Sequence, residues 1–238
     1  MPTFTLLIPT LNEFEGMKAI MPKIKREWVD QILILDGGST DGTIEYVRQN
    51  GWELHIQQKK GLRNAYMEVH DKITGDYLIT FSPDGNSVAE LIPPLIEKVR
   101  EGYDMVIVSR YAKGAKSYDD DLITAFGNWL FTGTVNLLFG SKYTDAMVMY
   151  RAYRKDLIKK LDLDKDETYL PEKWFSTVIS WEPILSVRCA KLKLKVSEIP
   201  GDEPSRIGGI RKLQVLRWGA SYMAQFFREL FYWKKNAI

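Results

Sequence analysis

Asp84 follows a run of apolar strand formers, Tyr77-Leu78-Ile79-Thr80-Phe81, and stands between Pro83 and Gly85 with Ser82 and Asn86 as polar neighbours. A carboxylate at the carboxyl edge of a strand can ligate a divalent cation. Mg²⁺ keeps several waters and needs only one or two protein carboxylates when substrate phosphates supply other ligands. Ser82 and Asn86 can add neutral oxygens, directly or through water. The alternative is an ordinary turn in which Asp84 caps the next helix, for which Asn86 or Ser87 is better placed. A second group, Asp36-Gly37-Gly38-Ser39-Thr40-Asp41-Gly42-Thr43, offers close-approach glycines, short hydroxyls and two carboxylates. Such carboxylates can accept hydrogen bonds from a nucleobase N–H or from ribose hydroxyls, and a helix start at Thr43 would present free backbone N–H groups beside them. A third is Glu182, a lone acid after Trp181 in an apolar stretch. Burial there can raise its pKa and make it a general base; otherwise it serves structure. His55 and His70 are isolated and carry no expected chemistry.

The elements that must position these groups follow from the apolar runs. Residues 4–8, 31–35, 53–57, 77–81 and 105–109 read as short strands, and 43–50, 61–72 and 88–101 as helices, with a further helix running to about Arg26 and capped by Thr10 or Asn12. Strands alternating with helices at this spacing give an α/β domain with a mostly parallel, Rossmann-like sheet and helices on both faces. Ligands of such sheets bind outside the carboxyl ends of the strands. The polar clusters fall there: 9–13, 36–43, 82–87 and Arg110-Tyr111.

The 238 residues suit one domain with appendages, and 45% hydrophobic with 27% charged residues excludes global disorder. A net charge of +2 does not point to nucleic acid. The single cysteine, Cys189, forms no internal disulfide and fits a reducing compartment. No basic stretch precedes the short apolar run of the N-terminus, so no signal peptide is expected. Two apolar segments stand out. Residues 122–140 carry no charge and read as a helix at a membrane surface or a buried one; Asp119-Asp120-Asp121 before it either cap it or contribute to a site. Residues 213–233 form a helix ending in aromatics beside Lys234-Lys235, which suits a water–lipid boundary or a packing surface for the domain or a second subunit.

Taken in order, Ile8-Pro9-Thr10-Leu11-Asn12-Glu13, the loop 36–43, Gly61-Leu62-Arg63-Asn64-Ala65, Asp84, Ser109-Arg110-Tyr111, the segment 147–157 with Arg151-Ala152-Tyr153, and Arg206-Ile207-Gly208 with Arg211-Lys212-Leu213 resemble the inverting family 2 glycosyltransferases of GT-A fold. Within these the chain is most similar to the dolichyl-phosphate (polyprenyl-phosphate) mannose synthase group. The likeness implies a catalytic domain over 1–212, with a nucleotide-binding half to about 111 and an acceptor half over 112–212, followed by an amphipathic helix at 213–238. It implies that Pro9, Leu11, Glu13, Asp36, Gly38, Arg63, Ser82 and Pro83 surround the nucleotide. Asp84 would be the last acid of a D-x-D motif holding Mg²⁺ or Mn²⁺, with Ser82 and Asn86 standing where the first acid and a following Gln are usual.

The donor implied is a nucleotide sugar of GDP-mannose or UDP-glucose type, and the acceptor a polyprenyl phosphate at the cytoplasmic face of a membrane. A phosphate acceptor is mostly dianionic at neutral pH and needs no base, but it needs positive charge nearby. Arg110, Arg151, Arg206, Arg211 and Lys212 are the candidates, Arg110 and Arg206 foremost. A hydroxyl acceptor would instead need a base, and Glu182 is the candidate. A nucleotide-sugar-binding protein without transferase activity is the third reading.

Overall fold

The computed structural model describes residues 1–208 and 215–233. The five apolar runs become strands β1 (Phe4–Thr10), β2 (Gln31–Asp36), β3 (Glu53–Ile56), β4 (Tyr77–Thr80) and β5 (Met105–Ser109). Two more, β6 (Arg151–Arg154) and β7 (Val196–Pro200), complete a single sheet of order β3-β2-β1-β4-β6-β5-β7. All neighbours are parallel except β6, which runs antiparallel to both β4 and β5. Neither β6 nor β7 is expected from the sequence. β6 is four residues long with an arginine at each end, and β7 mixes Ser and Glu into its apolar positions and ends on Pro200. Glu198-Ile199-Pro200 thus lies in an edge strand.

The helices are α1 (Phe14–Ile20), α2 (Thr43–Gln49), α3 (Leu62–Val69), α4 (Ile92–Arg100), α5 (Leu122–Phe139), α6 (Leu157–Lys160), α7 (Pro171–Phe175), α8 (Glu182–Lys191) and α9 (Val215–Glu229). Several are shorter than the sequence suggests, for local reasons. α1 gives way to a 3-10 turn at Met21–Lys23, which contains Pro22. Pro93-Pro94 fixes the first turn of α4, so the regular helix begins at Ile92 rather than at 88. Neither Thr10 nor Asn12 caps α1. Thr10 donates to Asp36, and Asn12 accepts from the Thr40 N–H. The cap comes from Asp41, which accepts from the Phe14 N–H and also from the Thr43 N–H at the start of α2.

Alternate strand residues point to opposite faces, and two cores result. Leu7, Leu33 and Leu35 pack with α3, α8 and α9 through Tyr66, Trp181, Leu185 and Phe226. Leu6, Ile8 and Ile34 pack with α1 and α4 through Met17, Ile92 and Val99. The helices thus lie on both faces, as expected. α5 is capped by Asp121, which accepts from the Thr124 N–H at 2.8 Å, and ends at Gly140, whose φ of +68° is left-handed. It is long and apolar enough to cross a membrane by length and composition, yet only 17% of it is buried. Leu122, Phe126, Trp129 and Leu137 are all exposed, so the buried-helix alternative for 122–140 does not hold. α9 packs against α5, α7 and α8, while Leu216 and Phe227 remain exposed.

Candidate active site

A cavity of about 600 Å³ opens at the carboxyl ends of the strands. Pro9, Leu11 and Glu13 line it after β1, Gly37 after β2, Ser82, Asp84 and Asn86 after β4, and Arg110 after β5. Its far wall is Ile123, Gly127 and Phe131 of α5 with Trp218 and Tyr222 of α9. The chain therefore brings the strand-end clusters and the two apolar helices to one space. Gln57, at the end of β3, also lines it. That residue is missed by the sequence reading, which places it inside the strand; β3 in fact ends at Ile56.

Several expected ligands are committed to the protein itself. Asp36 is 0% exposed. One of its oxygens accepts from the Gly38 and Ser39 N–H groups at 2.8 and 2.7 Å, and the other from the hydroxyls of Thr10 and Ser39. Both oxygens shape the glycine loop. Gly38 (φ +91°) supplies the turn without lining the cavity, and Pro83 is buried behind Asp84. The carbonyl of Pro83 lies so close to α1 that a Cβ on Gly16 would sit 2.5 Å from it, which explains a glycine inside that helix.

Arg63 does not reach the nucleotide side either. It is buried, with Nη2 donating to Glu172 at 2.9 Å, Nη1 to Asp166 at 3.0 Å, and its plane 4.2 Å from the Tyr169 ring. Arg151 is 0% exposed and donates to the Glu182 carbonyl, the Ser186 hydroxyl and the Ala146 and Val148 carbonyls, so it is a core residue and not a phosphate ligand. Glu182, 1% exposed, begins α8 and accepts from the Tyr66 hydroxyl at 3.0 Å. It does not line the cavity, and its other oxygen, Oε2, is buried with no hydrogen-bond partner. Glu182→Gln is accordingly expected to cost about 1–3 kcal/mol of stability through its buried partners, with KM and kcat within about twofold of wild type. Thermal denaturation beside steady-state kinetics checks this, and a lost turnover in a folded variant would restore the base.

Arg110 does line the cavity, but its charge is enclosed. Nε donates to Asp145 at 2.6 Å and Nη1 to Glu203 at 3.2 Å, with Asp120 at 3.8 Å from Nη1. Burial pushes the Glu203 carboxyl up, against the opposing pull of Arg110 and the Ser117 hydroxyl. Asp120 also accepts from the Tyr111 hydroxyl, and Asp119 from the Arg206 N–H. The three acids before α5 thus divide: Asp121 caps the helix and the other two face the site. Glu203 is a further lining residue missed from the sequence, since 93 positions separate it from the arginine it meets.

Arg206 sits on Asp84. Its Nη1 is 2.7 Å from Asp84 Oδ2, and its Nη2 donates to Asn86 Oδ1 at 3.0 Å. Asn86 is held further by donating to the Pro204 carbonyl, and Asp84 Oδ1 accepts the Asn86 N–H at 3.0 Å. Neither Asn86 nor Ser87 caps the next helix; Ser87 instead accepts the Ser82 N–H. Arg211 and Lys212 lie outside the described residues. Among the described residues no three His, Cys, Asp or Glu side chains gather as a metal cluster. Asp84 nonetheless fits a cation, because a guanidinium already stands at its cavity-facing oxygen.

Residues 5–162 match the glycosyl transferase family 2 profile. The chain belongs to that family. It is a glycosyltransferase, and its sheet and helices are those of the GT-A fold. It is 28% identical to the undecaprenyl-phosphate mannosyltransferase of Micrococcus luteus over 90% of this chain and 92% of that one. It is also 28% identical to the glycosyltransferase AglJ of Haloferax volcanii, over 89% of this chain and 70% of the relative. Among solved structures, glucosyl-3-phosphoglycerate synthase of Mycobacterium tuberculosis, in complex with Mn²⁺, UDP and phosphoglyceric acid, superposes with a TM-score of 0.69 over 98% of this chain and 80% of that one, at 18% identity. That likeness bears on the fold. The reading as a binding protein without transferase activity gives way to the enzyme.

Proposed function

We propose that this glycosyltransferase moves a hexose from a nucleotide sugar of GDP-mannose or UDP-glucose type onto the phosphate of a polyprenyl phosphate, with inversion at the anomeric carbon and with the help of Mg²⁺ or Mn²⁺. The observation that carries it is the continuity of the cavity, from the strand-end residues Leu11, Glu13 and Asp84 to the inner sides of α5 and α9. The outer sides of those helices expose Leu122, Phe126, Trp129 and Leu216. Exposed apolar side chains of this kind suit a lipid interface, and a polyprenyl phosphate resting there could extend its head into the cavity. The names of relatives, the undecaprenyl-phosphate mannosyltransferase and the polyprenol monophosphomannose synthase of Mycolicibacterium smegmatis, support the same acceptor class.

Charge supports a metal. Six carboxylates line the cavity, Glu13, Asp84, Asp119, Asp120, Asp202 and Glu203, against the guanidiniums of Arg110 and Arg206. Carboxylates thus outnumber guanidiniums among the described lining residues, and a diphosphate meeting a second phosphate there would be repelled. Asp84, with Ser82 beside it, would hold the divalent cation, which supplies the charge that stabilises the departing nucleoside diphosphate. Arg206 is close enough to turn from Asp84 to a phosphate. Glu13 and Leu11 border the nucleoside end, and Arg110, steadied by Asp145, borders the acceptor end. The acceptor phosphate needs no base, which agrees with the burial of Glu182. The protein would work as a peripheral enzyme on the inner membrane face.

The test is transfer of labelled sugar by the purified enzyme in detergent, with polyprenyl phosphate or the corresponding polyprenol as acceptor. The expected product is an acid-labile lipid-linked sugar formed only from the phosphate. Equal transfer to the alcohol, or none to either from both donor types, contradicts the reading.

A further inference from the structure

We infer that Arg206 is the resident cation of the Asp84 site, and that a divalent metal enters only by displacing it. This rests on the metal-assisted reading above. The guanidinium occupies the two side chains the spacing puts forward for a metal, Asp84 Oδ2 at 2.7 Å and Asn86 Oδ1 at 3.0 Å. Glu13 Oε1 lies 3.8 Å from the same Nη1, and Arg206 Nε is buried with no hydrogen-bond partner. A guanidinium placed for phosphate alone has no reason to satisfy the metal ligands and leave its own Nε–H unmet. As a counter-ion it keeps Asp84 compensated while the site awaits substrate, since a buried carboxylate without a partner is costly.

The backbone around Arg206 is pinned, so the side chain is the part free to swing. The Ile207 N–H donates to the Asp84 carbonyl at 2.7 Å, and the Asn86 amide donates to the Pro204 carbonyl at 2.8 Å. Gly85 has φ +97°, and a Cβ on it would lie 2.8 Å from the Ile207 side chain. A metal bound to Asp84 Oδ2 would lie within a few ångströms of the Nη1 now there, and two positive groups at that separation repel strongly. The nucleoside diphosphate resolves the conflict by giving the guanidinium a bidentate phosphate partner. Metal and nucleotide therefore bind as a coupled pair, and the coupling is reciprocal. Arg206 sets its size.

Titration of Mn²⁺ by loss of its free paramagnetic resonance signal tests this on the whole chain, with and without UDP or GDP. In wild type, Mn²⁺ is expected to bind weakly alone and much more tightly with the matching nucleotide. Arg206→Met is expected to tighten nucleotide-free binding by about tenfold or more and to shrink the gain from nucleotide by a similar factor. Arg206→Lys, which keeps the charge but loses the fork, should stay near wild type in nucleotide-free affinity. Arg206→Gln removes the charge while keeping a polar side chain, so tighter nucleotide-free binding is expected there too, and it serves where the methionine variant does not fold. Unchanged or weaker nucleotide-free binding in folded Arg206→Met and Arg206→Gln, with Mn²⁺ still recruited by nucleotide, overturns the inference alone. No Mn²⁺ bound by any form under any condition overturns the metal reading with it.

Discussion

Asp84→Asn is expected to lower kcat/KM by about 10³-fold or more while leaving the protein folded. A bound cation contributes several kcal/mol to stabilising developing charge, and each 1.36 kcal/mol is tenfold in rate. The amide is nearly isosteric and can still accept the Asn86 N–H on its oxygen, so the local turn survives. What it loses is the anion that faces Arg206 across 2.7 Å and, in the loaded enzyme, the cation. The measurement is steady-state transfer at saturating Mn²⁺, beside a melting curve. A variant that melts within a few degrees of wild type yet keeps more than about a tenth of the activity would remove Asp84 from the chemistry. Ser82→Ala should be much milder, because a neutral oxygen contributes little charge.

The second large effect is on stability. Glu229 on α9 and Arg188 on α8 are both 0% exposed and pair at 2.7 Å. Arg188 also donates to the Leu161 carbonyl at 2.5 Å and lies 4.8 Å from the Trp233 ring, and Glu229 accepts from Gln225 at 3.0 Å. Glu229→Ala would leave the guanidinium buried and uncompensated, which costs about 3–5 kcal/mol. At roughly 2–4 °C per kcal/mol for a chain of this size, Tm should fall by about 10 °C. Replacing both partners with apolar residues should recover much of that loss, because the desolvation of the pair disappears with it. A single variant less than 1 kcal/mol down in urea denaturation would show that the pair does not hold α9 to the domain. The pair also bears on the site, since Trp218 and Tyr222 of the same helix form the cavity's far wall.

Most of the sheet was legible because four of its six parallel strands, β1, β2, β4 and β5, are largely apolar runs, and such strands announce themselves by composition. β6 was hidden because Arg151 belongs to the interior. Arg151 is taken up by carbonyls of the chain around it and by Ser186, and nothing within four residues of sequence foretells that. The site was legible to the extent that it is local. The strand ends 9–13, 82–87 and 110 do converge, and Asp84 does face the cavity. What the sequence does not reveal is which charged groups are already spoken for. Arg63 finds Glu172 across 109 positions, and Arg206 finds Asn86 across 120. Asp36 is the instructive local case: its neighbours Gly38 and Ser39 present two N–H groups to one carboxylate oxygen, which is how an Asx-type turn consumes an acid. The apolar segment 122–140 was legible as a helix with a capping acid, but its exposure depends on what lies across from it, and that only the fold decides.

If Asp84 anchors the cation that anchors the diphosphate, crystals grown with Mn²⁺ and UDP or GDP will show it directly. The anomalous difference map is expected to place Mn²⁺ in bonding contact with an Asp84 carboxylate oxygen and with oxygens of the diphosphate, with the Arg206 guanidinium moved off Asp84 and onto a phosphate. A nucleotide bound in the cavity with Asp84 still paired to Arg206 and no manganese peak beside it would contradict the account.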